Sequence, residues 1–289
     1  MFLGALNAAL GSIASPTGVR RIWIFRKAPK TATIPGKFRI IWGALLNAGL
    51  RGWAKMDVFV PYSGLHALAI VLCALLIATP TLLGRTLRPN GETALRRTLP
   101  ALSACYWVVY NTWWNWHGLD WRTGLPLQVC DINALVATLA LLTGWRWARA
   151  TLYFWTAALT LQAFVQPALT AGPASLVFWA FWTAHTIIVA CAVYDIVVLG
   201  FRPDWNDLGR ALIVSTAYVA LVVPVNYWLG SDYGYIGNPS PDIGVPPFVL
   251  ILGPWPQRAI VLIVLAALGF VVVLLPWRLV TPPAKLVRL

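Results

Sequence analysis

The chain has 289 residues, of which 59% are hydrophobic and 11% are charged, and its formal net charge is +13. Soluble domains carry about 25% charged residues, so this composition excludes an ordinary soluble protein and indicates a multi-pass membrane protein. In a soluble protein the positive charge would suggest nucleic acid as a partner. Here basic loops beside anionic lipid explain the charge better, and we expect no nucleic-acid partner.

Apolar runs of roughly 18 residues or more predict membrane-spanning helices, and many of the 17 tryptophans fall near their ends. Tryptophan side chains anchor at membrane–water interfaces. We therefore predict an all-α polytopic membrane helix bundle of about seven transmembrane helices. The predicted spans are about 62–84, 99–117, 124–143, 149–169, 176–200, 208–229 and 257–279.

The distribution of basic residues predicts the orientation of these spans, because cytoplasmic loops carry an excess of Lys and Arg. The loops after spans one, three and five, together with the C-terminal tail, hold eleven basic residues. The loops on the opposite side hold only Arg122 and Arg258. We therefore predict a cytoplasmic C-terminus and place the protein in the cell membrane.

Residues 1–55 do not fit this orientation, because they carry nine of the 22 basic residues and would lie outside. Met56, the one methionine besides Met1, directly precedes "DVFVPYSGLHALAI". We interpret residues 1–55 as a basic N-terminal extension from a mis-assigned start, with Met56 as the true start and 56–289 as the membrane domain. A genuine basic tail on the membrane surface, with the opposite topology, is the alternative.

With the predicted orientation, the polar residues of the spans collect in the outer half of the membrane. Polar and ionisable groups at membrane depth are costly and normally face the bundle interior, where they mark function. A single convergent site is the simplest explanation. The residues concerned are His66, His117, Cys130, Asp131, Asn133, His185, Asn226 and Tyr227.

Cys130 is the strongest candidate nucleophile among them. It lies near the start of span three, where unpaired N–H groups and the helix dipole favour a thiolate. A nucleophile needs a base, and His185 is the only histidine well inside a span. Asn133, one turn after Cys130, could stabilise an oxyanion. Packing of Cys130 and helix–helix hydrogen bonding of His185 stay open as alternatives.

Asp131 and the other cysteines are less informative. Asp131 opposes thiolate formation if it is ionised, and from sequence it either orients a histidine or caps the helix. Cys73, Cys105 and Cys191 lie in apolar segments without CxxC spacing, which predicts neither a disulfide framework nor a structural zinc site. We expect no metal and no cofactor.

Four segments carry a resemblance to a known family. They are "FVPYSGLHAL", "LPLQVCDINAL", "FWTAHTIIV" and "VNYWLGSDYGYIGNP". Together they resemble the YwaF-like integral membrane family, which is also similar to an animal transmembrane lipid acyltransferase. The likeness covers roughly Met56 to Leu279 and excludes residues 1–55. It implies acyl transfer by a thiol and a histidine, which correspond to Cys130 and His185, and it matches His66 to a family histidine.

We therefore predict a membrane-embedded lipid acyltransferase or lipid hydrolase that uses a Cys130–His185 pair, with membrane phospholipids and lysolipids as partners. One alternative is a metal-dependent lipid hydrolase with His66, His117 and His185 around zinc and Asp131 nearby. A non-enzymatic multi-pass transporter or receptor is the other alternative.

Overall fold

The structure is a computed structural model that describes residues 58–279 except residues 88 and 244. The predicted extension 1–55 and the predicted start at Met56 lie outside the described residues. The described chain is helical and contains no β-strand; its one β-bridge is an isolated pair between Val58 and Ala171. The prediction of an all-α protein is therefore confirmed for this part of the chain.

Helices occupy each of the segments that were predicted to span the membrane. The first four are α1 (Gly64–Thr86), α2 (Pro89–Trp114), α3 (Val129–Thr143) and α4 (Arg146–Trp155). A π-helical turn (Thr156–Thr160) joins α4 to the short α5 (Gln162–Val165). Then follow α6 (Leu176–Val197), α7 (Trp205–Leu229), a 3₁₀ turn (Tyr233–Tyr235), α8 (Pro247–Leu250) and α9 (Gln257–Leu279).

Four of these helices, α1, α6, α7 and α9, are long and apolar enough to cross a membrane. Helix α3 is apolar but shorter, with 15 residues. Such a set of apolar helices identifies a helical membrane protein.

Local sequence explains where several helices begin and end. Ser63 caps α1 by accepting a hydrogen bond from the backbone N–H of His66. Asp204 and Asp207 form a reciprocal capping box at the start of α7. Gly144 ends α3 in the left-handed region, with φ of 67°, which glycine adopts at little cost.

Buried ion pairs hold one end of the bundle together. Arg146 and Arg210 both donate to the Asp207 carboxylate, and Arg149 Nε donates to both oxygens of Asp195 at 2.9 and 3.0 Å. Both carboxylates are buried, with exposures of 0% and 2%. We name this the arginine-rich end; its other arginines are Arg85, Arg96, Arg97, Arg202 and Arg278.

Candidate functional site at the start of helix α3

Cys130 and Asp131 lie in the first turn of α3, as predicted, at the end of the bundle opposite the arginine-rich end. We name this the Cys130 end. Gln128 precedes the helix in an extended conformation, and its side-chain Oε1 accepts a hydrogen bond from the backbone N–H of Gly234 at 3.0 Å. Cys130 is half-buried and packs against the apolar core between α3 and α6. The half-buried thiol thus lies at the edge of the helix core, within electrostatic range of Tyr235 in the loop that contains Gly234.

Asn133 and two threonines form a buried polar cluster beside Cys130. The amide of Asn133, which is 0% exposed, bonds the hydroxyl oxygens of Thr156 and Thr160, each at 3.1 Å. The Cys130 thiol lies beside the Thr160 hydroxyl. A nucleophile candidate therefore borders on buried hydrogen-bonding groups from two helical segments.

The amide of Asn133 is only half satisfied. A threonine hydroxyl both donates and accepts hydrogen bonds. One polar atom of the Asn133 amide therefore bonds Thr156 and Thr160 whichever way the amide is turned. The other, Oδ1, is buried with no hydrogen-bond partner among the described residues. Most buried polar atoms in proteins have a partner, so this atom marks a place for water or a substrate group. In the opposite amide orientation the free atom is the nitrogen, a donor, so the oxyanion role predicted for Asn133 stays a prediction.

Asp131 contacts the start of its own helix. Its carboxylate faces the backbone N–H of Gln128, the residue before α3. A negative side chain there satisfies an unpaired N–H and complements the helix dipole. In the described residues Asp131 interacts with no histidine, so of the two roles left open by the sequence the structure supports helix capping. Tyrosines surround it within electrostatic range: Tyr106, Tyr110, Tyr218 and Tyr233.

Asn226 organises the loop that covers the start of α3. Its side chain donates to the carbonyl of Tyr233 and accepts from the Tyr233 N–H and the Ser231 hydroxyl, all at 2.9 Å. The Tyr233 hydroxyl in turn accepts from Leu125 N–H and donates to the Trp121 carbonyl, each at 3.0 Å. The segment Ser231–Gly237, which we name the cover loop, is thereby fixed to the chain that leads into α3.

Two residues of the cover loop have left-handed backbone conformations. Gly234 has φ of 68°, and a Cβ there would lie 2.6 Å from the Tyr218 hydroxyl, so only glycine fits. Tyr235 has φ of 60°, which is unusual for a residue with a bulky side chain. Burial, assisted by the nearby Cys130 and Asp232, raises the pKa of Tyr235 to about 12, so the phenol stays a proton donor.

Asp232 and Arg258 anchor the base of the cover loop. Arg258, which is buried, donates to the Gly237 carbonyl at 2.6 Å, and its Nη2 lies 3.9 Å from Asp232 Oδ1. Burial raises the pKa of Asp232, and the Gly237 N–H and the Arg258 guanidinium oppose that increase. This pair connects the cover loop to the start of α9.

His185 lies in α6, buried, with a defined protonation pattern. Its Nδ1 is 2.7 Å from the Phe181 carbonyl, which can only accept, so Nδ1 carries the hydrogen and Nε2 keeps its lone pair. The rings of Phe181 and Phe164 pack against the imidazole. Among the described residues no hydrogen bond joins His185 to Cys130, so the predicted pair stays a prediction.

His66 is committed to structural hydrogen bonds. Its Nδ1 accepts from the Tyr62 N–H at 2.9 Å, and its Nε2 donates to the Phe164 carbonyl at 3.0 Å. Both nitrogens are therefore occupied in a neutral ring that ties α1 to α5. This explains a buried histidine here without catalysis.

Of the other residues predicted for the site, Asn226 is buried, whereas His117 and Tyr227 are exposed. His117 is exposed beyond the end of α2, and Tyr227 is 77% exposed next to the buried Asn226. No three His, Cys, Asp or Glu side chains in the described residues come close enough to hold a metal. The three histidines of the predicted zinc alternative are thus not brought together.

Several residues that line the site were not predicted from the sequence. Thr156 and Thr160 were signalled by two hydroxyl residues at a spacing of four within an apolar span. Gln128 was signalled only by its position before the helix. The remaining lining residues come from distant segments: Tyr218, and Asp232 and Tyr235, which lie in the family-like segment "VNYWLGSDYGYIGNP" but were not predicted individually.

Comparison with known proteins identifies a family. A family model described as the TMEM164 family, a family of transmembrane proteins, matches residues 60–274, which is more than half of the chain. No curated protein matches the chain significantly, and no solved structure does so.

Proposed function

The chain belongs to the TMEM164 family, and on that premise we propose that it is a membrane-embedded lipid acyltransferase or lipid hydrolase with Cys130 as its nucleophile. The observation that carries the proposal is the half-buried thiol beside the Asn133–Thr160 cluster, in which one buried amide atom has no partner among the described residues. The relation to YwaF-like proteins and to the animal acyltransferase belongs to this proposal. We also propose that the chain crosses the cell membrane seven times and that its C-terminus is cytoplasmic.

The depth of the site favours a phospholipid ester as substrate. Exposed tryptophans surround the Cys130 end, as expected for a membrane–water interface. A nucleophile in the first turn of α3 lies at the same level, where the glycerol esters of phospholipids lie. The exposed side chains are Trp113, Trp114, Trp116, Trp121 and Trp228.

The proposed reaction has two steps. The Cys130 sulfur attacks the ester carbonyl carbon, its proton passes to a base, and the C–O bond breaks as that proton reaches the leaving alcohol of the lysolipid. The hydroxyl of a second lysolipid, or water, then attacks the acyl-cysteine thioester. This releases the new ester or the free acid and restores the thiol.

His185 is the proposed base because its Nε2 has a free lone pair while Nδ1 is held by the Phe181 carbonyl. Nε2 must come within hydrogen-bond reach of the thiol when substrate is bound, and catalytic hydrogen bonds often tighten only in the substrate complex. For the oxyanion, the candidate donors are the backbone N–H groups of the first turn of α3 and the Tyr235 hydroxyl.

The test is acyl transfer from a labelled phospholipid to a lysolipid by the full chain in proteoliposomes. We expect Cys130→Ala to lower the rate by about a thousandfold or more, as removal of a nucleophile does. Cys105→Ala is the matched control, because Cys105 is a free cysteine in α2 away from the cluster, and we expect wild-type activity from it.

Trapping of the acyl group separates the steps. A thioester on Cys130 should be sensitive to hydroxylamine and absent in Cys130→Ser, which would form a stable ester instead. We expect His185→Gln to slow acylation by about 10²–10⁴-fold. If Asp131→Asn abolishes acylation while His185→Gln does not, Asp131 is the base. A fully active Cys130→Ala protein would refute thiol catalysis, whereas a wild-type protein that neither transfers nor hydrolyses the acyl group would favour a transporter or receptor.

A further inference from the structure

A small cavity lies at the arginine-rich end, between α2 and the end of α3. It has a volume of about 240 Å³ and is lined by Thr93, Arg96, Arg97, Leu141 and Leu142. Residues at spacings of three and four share one face of a helix, so the three polar residues of α2 line the same wall. Cys130 is twelve residues from Leu142 along α3, which is about 18 Å at 1.5 Å per residue. The cavity is therefore separate from the candidate catalytic site.

The two walls of the cavity differ in chemistry. Arg96 and Arg97 are exposed, and in the described residues neither guanidinium forms an ion pair. The opposite wall is apolar: Leu141 belongs to the buried core, and Leu142 is 57% exposed toward the surroundings of the bundle. A charged wall beside an apolar wall suits an amphiphilic ligand.

The acidic residues nearby are already engaged. The Glu92 carboxylate accepts a hydrogen bond from the Tyr194 hydroxyl at 3.0 Å. Asp195 is bound by Arg149 and lies within electrostatic range of Arg96. Arg96 and Arg97 thus line the cavity without an ion pair to a carboxylate among the described residues. A guanidinium group binds two phosphate oxygens at once through two parallel N–H groups.

From these walls we infer that the cavity binds the phosphate headgroup of an anionic phospholipid from the adjoining leaflet. Arg96 and Arg97 hold the phosphate, and the acyl chains continue along Leu142. The volume lies below the 300–1,000 Å³ typical of pockets that enclose a whole ligand, which fits a headgroup with its chains outside. Basic pockets between transmembrane helices bind anionic headgroups in this way.

The inference is tested by native mass spectrometry of the purified full chain with phosphatidylglycerol or phosphatidylcholine of identical acyl chains. We expect preferential retention of phosphatidylglycerol, reduced about tenfold or more in Arg96→Gln/Arg97→Gln. The matched control is Arg85→Gln/Arg278→Gln, which removes two exposed charges from the same end outside the cavity and should keep the preference. The variant Arg96→Lys/Arg97→Lys keeps the charge but loses the paired N–H donors of the guanidinium group. Its preference for phosphatidylglycerol should lie between those of the wild type and Arg96→Gln/Arg97→Gln.

The opposite outcomes are equally clear. An unchanged preference in Arg96→Gln/Arg97→Gln, or an equal loss in the control, would overturn the assignment in favour of general surface charge. Displacement of phosphatidylglycerol by excess inorganic phosphate would show a phosphate site without lipid specificity and overturn the lipid assignment. Unfolding midpoints measured without added lipid should match the wild type, which separates loss of binding from loss of folding.

Discussion

The two ends of the helix bundle are stabilised by different kinds of interaction. At the arginine-rich end, Asp195 and Asp207 are fully buried and held by arginines. At the Cys130 end, the buried contacts of Asn226, Tyr233 and Asn133 are neutral hydrogen bonds. Of the ion pairs described at that end, Arg122–Asp242 is exposed, and Arg258–Asp232 is buried but long, at 3.9 Å.

This difference separates a rigid end from an adaptable one. A buried ion pair is very costly to break, because removal of one partner leaves an uncompensated charge. A neutral hydrogen bond can be exchanged for one to water or substrate at a small net cost. A site that admits an ester and releases a product is therefore better placed at the Cys130 end, where the buried contacts of Asn133, Asn226 and Tyr233 are neutral.

The largest effect is expected from Arg149→Met, which leaves the buried carboxylate of Asp195 without its partner. We expect the free energy of unfolding in mixed micelles to fall by about 3–5 kcal/mol. The double variant Arg149→Met/Asp195→Leu removes the stranded charge and should recover most of that loss. A double variant as unstable as the single one would show that the charge is not the cause.

A smaller loss is expected from Asn226→Ala, which leaves the Ser231 hydroxyl and the backbone groups of Tyr233 without partners. Buried unsatisfied polar groups cost about 1–3 kcal/mol each; water that enters the space left by the Asn226 side chain would bond some of them, so we expect a total of about 2–3 kcal/mol. Hydrogen exchange of the cover loop should accelerate accordingly. The neighbouring Tyr227→Ala is the control, since Tyr227 is exposed; equal acceleration in both would contradict this role of Asn226.

Gly234→Ala should destabilise the cover loop by about 1–2 kcal/mol, the cost of a left-handed conformation for a residue with a Cβ. The new methyl group would also meet the Tyr218 hydroxyl. Tyr218→Phe removes that hydroxyl, so unfolding of the double variant should show less loss than the sum of the single variants. If the losses of the two single variants add up to that of the double variant, the close approach of the new methyl group to the Tyr218 hydroxyl does not affect the free energy of unfolding.

The smallest effect concerns pH at the exposed loops of the Cys130 end. The Arg122 guanidinium holds the pKa of Asp242 below its usual value, and the Thr123 hydroxyl with the Arg122 N–H does so for Asp120. A lowered carboxyl pKa contributes stability that is present above about pH 4 and is lost as pH falls through the folded-state value.

We therefore expect the loops around residues 120 and 242 to exchange hydrogen faster below about pH 4, after correction for intrinsic rates. The arginine-rich end, measured in the same experiment, is the internal reference. Arg122→Gln removes the bidentate contact with Asp242 and should weaken the pH dependence of its loop. An unchanged pH profile in this variant would contradict the assignment.

Much of the helical framework could be predicted from the sequence, because lipid imposes a strong compositional constraint on spanning segments. The apolar run from Gln257 to Leu279 matches α9 at both ends. Cys130 was predicted near the start of the span 124–143, and α3 begins at Val129, directly before it. The span predicted for 208–229 ends with α7 at Leu229, but α7 begins three residues earlier, at Trp205, where Asp204 and Asp207 form a reciprocal capping box.

The contents of the site could be predicted only in part. Asn133 was identified from its spacing to Cys130, but its partners Thr156 and Thr160 lie on another helical segment, and side-chain pairing across helices has no local signal. The role of His66 depends on the Phe164 carbonyl, which is 98 residues away. Tyr235 reaches the site through a left-handed backbone that its residue type disfavours.

The π-helical turn Thr156–Thr160 makes the length of this segment as important as its composition. Leu161 N–H donates to the carbonyl five residues earlier, that of Thr156, at 3.0 Å, so the turn holds one residue more than an α-helical turn. Deletion of one residue here would rotate the following chain by about 100°. Thr160 would then leave Asn133, and the Phe164 carbonyl would leave His66. Insertions and deletions, more than substitutions, are the changes that evolution should avoid in this segment.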